Sequence, residues 1–275
     1  MTSYRAARLI RGASAILAGI MLAAPVQAQD PASGEVVLLP FDVPIGNYNG
    51  SEPVVGPAQL HIAGAGFKAG NGWWILSCAG QGCRLDAASL AVKPSTHPQY
   101  DGPPVASQRL TWSARPRVRA SLLAAFKPKG ALAQLSLRPG PLSTWFHHRM
   151  ATLPPLDGPL PETRLDMDGG RHALLRQRLV KGAGDTVLEL ELATEGKVQQ
   201  LGRYEFHMSE PGYIAPQMVV MWAGDLDGDG KLDLLVNNSA YYWDTTLYLS
   251  SLAKPGELVA PAGRFQYAPP DSGGC

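Results

Sequence analysis

The chain has 275 residues, with 24 Lys and Arg against 23 Asp and Glu, for a formal charge of +1. So even a balance argues against nucleic acid or an anionic membrane surface as partner. Its 30 Gly and 24 Pro follow no period, which favours many short strands joined by turns.

Residues 1–28 read as a cleaved signal peptide. Arg5, Arg8 and Arg11 form a positive start, and no acidic residue precedes Asp30. The apolar run from Ala13 to Ala24 is too short for a comfortable membrane span. Pro25-Val26-Gln27-Ala28 supplies small residues at the cleavage site, with cutting expected after Ala28. Paired arginines are missing from the leader, so export by the general route is expected, to the periplasm or to the exterior. Removing the leader leaves 247 residues (275 − 28) and, with three Arg gone, turns +1 into −2. That length supports a sizeable core in one large or two small domains.

Residues 29–115 are expected to form an N-terminal β-unit, with strand-like patterning from about Glu35 to Ser113. Within it, Cys78 and Cys83 bracket the turn-prone Ala79-Gly80-Gln81-Gly82. In an oxidising compartment a disulfide across that turn is expected, and Cys275 is left over. Four intervening residues do not match the usual two of a redox motif, and a zinc site would need two further ligands. Ala87–Val92 and Ala120–Phe126 have brief helical character. The proline-rich stretch from Pro94 to Pro104 reads as an irregular loop, and the alternating Arg115, Arg117 and Arg119 as one polar face of a strand. Residues 116–161 form a connecting segment that ends in a Pro-rich linker from Met150 to Pro161.

The richest stretch is Asp225-Leu226-Asp227-Gly228-Asp229-Gly230-Lys231-Leu232-Asp233. Ca²⁺ is a hard cation that takes six to eight oxygens, and carboxylates at positions 1, 3, 5 and 9 of a tight loop supply them. Gly230 permits the sharp turn that lets position 7, Lys231, offer its carbonyl. Without a cation, four clustered Asp would repel one another. Position 12, where a helix–loop–helix calcium site needs a bidentate Glu, is Val236, and the flanks Met218–Trp222 and Leu232–Val236 are rich in strand formers. The loop therefore joins two strands.

Over Gly224–Val236 the chain resembles the calcium-binding hairpin of FG-GAP/VCBS repeats, the units of integrin-α-like β-propellers. The resemblance implies Ca²⁺ as cofactor, held by the side chains of Asp225, Asp227, Asp229 and Asp233 and the carbonyl of Lys231. A degenerate copy lies upstream at Asp166-Met167-Asp168-Gly169-Gly170-Arg171-His172-Ala173-Leu174-Leu175, 59 residues earlier (225 − 166). It keeps two carboxylates, too few for a good Ca²⁺ site, so this hairpin reads as structural and His172 as a surface residue.

The expected fold is mainly β. A region of two such hairpin repeats, residues 162–267, follows the N-terminal unit and precedes a flexible tail, residues 268–275. A small closed β-propeller is the alternative. The units Glu162–Ala193 and Pro216–Ala253 should pack around a shared apolar core, with contributions from Leu174, Leu175, Leu188 and Leu190 and from Leu234, Leu235 and Leu247.

The sequence holds no nucleophile elbow, phosphate-cradling loop or H-E-x-x-H. His147-His148 is the only paired histidine, while His61, His97 and His207 are isolated. The function expected is an exported, calcium-braced, non-catalytic binding or structural module of the cell envelope. Tyr241-Tyr242-Trp243 would offer anchors for a protein or glycan ligand, or else pack in the core. The alternative is a cell-envelope hydrolase with dispersed residues and His147 or His148 as base.

Overall fold

A computed structural model describes residues 32–34, 36–40, 59–63, 66–80, 82–99, 102–114, 121–147, 162–181, 186–194, 196–206, 219–238 and 243–267. The leader, the linker at 150–161, Arg115, Arg117, Arg119, His148, His207, Tyr241, Tyr242 and the tail lie outside these residues.

The fold is mainly β. The strands are β1 (Ala32–Gly34), β2 (Val36–Pro40), β3 (Gln59–Ala63), β4 (Gly70–Ala79), β5 (Gly82–Gln99), β6 (Gly102–Trp112), β7 (Ser121–Pro128) and β8 (Gly140–His147). They continue with β9 (Glu162–Asp166), β10 (His172–Lys181), β11 (Thr186–Thr194), β12 (Lys197–Phe206), β13 (Val219–Asp225), β14 (Asp233–Asn237), β15 (Trp243–Leu249) and β16 (Ala260–Tyr267).

Ten strands follow one antiparallel path, β1-β16-β15-β14-β13-β8-β5-β4-β7-β2, with β6 on the far half of β5 and β3 on β6. Only residue 35 separates β1 from β2, yet β1 pairs with β16 at one end of the path and β2 with β7 at the other. β2 also lies against β16, so the sheet curls into a nearly closed barrel. Its interior is filled by Leu38, Leu76, Leu85, Phe126, Trp222, Leu235 and Phe265, all buried in one cluster, and the register puts Trp73 and Ile75 on the other face of β4. Trp73 and Trp112 meet edge to face at 5.9 Å, the geometry ring quadrupoles favour.

The remaining strands form a separate four-stranded meander, β9-β10-β11-β12. Its inner face packs on the outside of the barrel wall made by β13–β15, sealing a second core of Leu165, Leu175, Leu188, Leu190, Leu234, Val236 and Tyr248. β14 is consequently covered on both sides, and all five of its residues are buried. Alternate side chains explain the division: Leu234 and Val236 meet the second sheet while Leu235 enters the barrel. Side-chain hydrogen bonds tie the layers together. The Gln199 side chain accepts from the Leu258 and Val259 N–H groups and donates to the Val259 carbonyl, replacing a missing strand partner. Tyr248 Oη donates to the Leu201 carbonyl at 2.7 Å.

Several expectations need correction. Ala87–Val92 is not helical but lies in β5, and of Ala120–Phe126 residues 121–126 lie in β7, Ala120 being outside the described residues. The run Leu122–Phe126 is made of helix formers but is buried throughout between β2 and β4, and burial overrides propensity. Of the stretch Pro94 to Pro104, residues 94–99 and 102–104 are not an irregular loop but the paired ends of β5 and β6, where Pro94 faces Gln108. There β5 has run past β4 and has one neighbour, so a residue without an N–H is tolerated. Residues 116–161 do more than connect, since they supply β7 and β8 to the barrel.

The stretches 162–206 and 219–267 each contribute four consecutive antiparallel strands, and they meet at the second core. Of the residues expected in that shared core, Leu175, Leu188, Leu190 and Leu234 are there. Leu235 and Leu247 face the barrel instead, and Leu174 is only half-buried on the outer face of the meander. The second stretch is also a wall of the barrel, through β8–β13 and β1–β16 pairing, rather than half of an isolated two-hairpin region.

Candidate metal centre

The loop between β13 and β14 turns through Gly228 (φ 82°) and Gly230 (φ 76°), left-handed conformations that glycine adopts without a Cβ penalty. Asp225 organises this turn. Its carboxylate accepts the N–H groups of Gly228 at 2.7 Å, Asp229 at 3.1 Å and Gly230 at 2.9 Å. Asp229 accepts the Lys231 N–H at 2.8 Å and pairs with the Lys231 ammonium at 3.2 Å.

These bonds bring Asp225, Asp227 and Asp229 together, each offering a carboxylate oxygen within 4.8 Å of the others. Asp227 is the most telling of the three: it is 9% exposed, and its Oδ1 is buried with no hydrogen-bond donor. A buried carboxylate oxygen is costly unless something positive meets it. A carboxylate has about four lone-pair sites, so the N–H bonds to Asp225 leave capacity for a cation. An all-oxygen donor set on a flexible loop suits Ca²⁺ better than a metal preferring nitrogen or sulfur. The residues present therefore fit the ion that the sequence resemblance implies.

Asp233 is set differently. It is fully buried, and its two oxygens accept the N–H groups of Ser250 and Leu226, each at 2.8 Å. Burial pushes its carboxyl up to about 7, opposed by those two N–H groups and reinforced by the charge of Asp227. It lies outside the three-carboxylate cluster yet adjoins it, because the Ser250 hydroxyl reaches both Asp233 (3.0 Å) and Asp229 (3.2 Å). Asp233 thus pins the two ends of the loop to the turn after β15. Lys231 places its side chain outward, and its side chain is 65% exposed.

Two contributors were not visible in the sequence. Ser250 lies 17 residues beyond Asp233, in the 3₁₀ turn Ser250–Leu252, and no local spacing links them. Arg171, from the degenerate upstream turn, donates to the Gly230 carbonyl at 3.1 Å. In that turn Asp168 accepts the Trp145 Nε1–H at 3.3 Å, which gives it a structural partner. His172 is half-buried.

Further along the barrel path, Cys78 and Cys83 form a disulfide across directly paired positions of β4 and β5. The His147 ring lies within 4.8 Å of these sulfurs. Joined in a disulfide, the two sulfurs carry no thiolate charge, so the trio is not a ready metal site. Another buried charge sits on β15, where Asp244 accepts the Arg264 guanidinium, with Nε at 2.8 Å. No helix among the described residues is long and apolar enough to cross a membrane. Comparison with known proteins finds no matching family model, no matching curated relative and no matching solved structure.

Proposed function

We propose that the chain is an exported β-protein of the cell envelope, braced by one Ca²⁺ and acting as a binding or structural module for a protein or glycan partner rather than as an enzyme. The observation that carries this reading is the carboxylate trio Asp225, Asp227 and Asp229, in which Asp227 Oδ1 is buried without a donor. The cleavable leader supports export, since an extracytoplasmic compartment supplies both Ca²⁺ and the oxidant for Cys78–Cys83. The two four-strand stretches are read as diverged copies of one FG-GAP-like unit, of which the second keeps its ion.

Such a site stabilises the fold by RT ln(1 + [L]/Kd), about 2.7 kcal/mol at a hundredfold excess over Kd. Thermal unfolding in Ca²⁺ and in chelator is the test. Wild type and Asp168→Ala should both melt higher in Ca²⁺, and Asp227→Ala should not respond. Equal melting temperatures for wild type in the two buffers refute the reading. Intact mass of exported protein should begin at Gln29; a retained leader contradicts the export arm.

A further inference from the structure

The carboxylate loop touches both layers of the molecule. Leu226, one residue after the first Asp, is buried in the barrel core, while Leu232, one residue before the last, is buried in the core between the sheets. Arg171 approaches from the opposite side. Its Nε donates to the Asp168 carbonyl at 3.2 Å, and its own carbonyl accepts the Met167 N–H at 2.9 Å, so the residue is fixed within its turn. Its free arm, Nη2, then reaches the Gly230 carbonyl, in the peptide that links Gly230 to Lys231.

We propose that this loop is a cation-operated latch between the meander and the barrel, with Arg171 as the positioning residue that couples the two. The proposal rests on the reading of the loop as a Ca²⁺ site. Without the ion, three carboxylates repel one another, and that repulsion works against the Asp225 and Asp229 side-chain bonds to the Gly230 and Lys231 N–H groups on either side of the Gly230 carbonyl. With the ion, Asp229 and the following peptide are fixed, and the Gly230 carbonyl is held in place for Arg171. Coupling of this kind is reciprocal: whatever ordering Ca²⁺ gives the meander, an ordered meander gives back as tighter Ca²⁺ binding. The apolar contacts at the second core do not depend on the ion, so the latch governs how often the meander opens rather than whether it folds.

Hydrogen exchange of the full chain, in chelator and in Ca²⁺ at about 100 Kd, tests this. Where opening the meander releases the ion, Ca²⁺ slows exchange by a factor of 1 + [L]/Kd, so peptides within 162–206 should slow by up to about 100-fold. In Arg171→Ala that slowing should vanish from 162–206 while peptides over 224–233 still respond to Ca²⁺, and Arg171→Lys should restore part of it. Ca²⁺ protection confined to 224–233 in the wild type, or a full response of 162–206 in Arg171→Ala, overturns the latch and leaves the Ca²⁺ site standing. Absence of any Ca²⁺ response at 224–233 overturns the site and the latch together.

Discussion

Replacing Asp227 by Asn keeps the shape of the side chain and removes one charge, and its effect on stability should change sign with the buffer. Two unit charges 4.8 Å apart repel by about 3 kcal/mol at an effective dielectric near 20. Partial exposure, the N–H groups around Asp225 and the Lys231 ammonium discount this, leaving about 1–2 kcal/mol of repulsion relieved by the substitution. For a domain of this size 1 kcal/mol moves the melting temperature by about 2–4 °C. In chelator, Asp227→Asn should therefore melt about 2–8 °C above wild type. In Ca²⁺ at 100 times the wild-type Kd, the wild type should gain about 2.7 kcal/mol, or about 5–11 °C. A variant binding 100-fold more weakly would gain only about 0.4 kcal/mol. Scanning calorimetry of both proteins in both buffers gives the four numbers. Equal destabilisation of the variant with and without Ca²⁺ would refute the reasoning, because it would make Asp227 a structural acceptor rather than a ligand.

Other perturbations probe the scaffold. A Cβ at Gly224 would collide with the Ser143 carbonyl and the Trp222 ring, so Gly224→Ala should lower stability by about 1–3 kcal/mol in urea titration. Unchanged stability would mean that β8 and β13 are not so close. Cys83→Ser should cost about 2 kcal/mol, as expected for opening a five-residue separation, and non-reducing peptide maps of wild type should recover Cys78 and Cys83 linked. Burial alone would raise the Glu191 carboxyl, but hydrogen bonds from Arg176 and Arg178 outweigh it and hold it below its ordinary value. That stabilisation is present above the ordinary value of 4.5 and is lost as pH falls through the lowered one. Melting temperatures taken below pH 5 should therefore fall less steeply for Glu191→Gln than for wild type, and parallel curves would count against the Arg–Glu network.

What the sequence made legible was local. The carboxylate trio, the strands flanking it and the Cys78–Cys83 bridge each depend on residues close together along the chain, where spacing dictates geometry. Contacts closed by tertiary structure left no such trace: Ser250 meets Asp233 across 17 positions and Arg171 meets Gly230 across 59. Leu234, Leu235 and Leu247 were recognisable as core residues, but two apolar layers cover β14. Alternation alone does not say that Leu235 faces the barrel and Leu234 the meander. The run Leu122–Phe126 misled because Leu and Ala favour helix, and only the neighbours β2 and β4 make it a strand. Pro94 misled in the same way, since its tolerance depends on β5 having a single partner at that point.

The most direct measurement is a crystal structure of the mature chain grown with Ca²⁺ or its luminescent substitute Tb³⁺, with the ion located by anomalous scattering. The account predicts one ion on the β13–β14 loop, about 2.3–2.6 Å from oxygens of Asp225, Asp227 and Asp229 and from the Lys231 carbonyl. It also predicts no ion at Asp166 and Asp168. An ion found elsewhere, or a loop that meets saturating Ca²⁺ with Asp227 Oδ1 bonded only to water or protein, would contradict it.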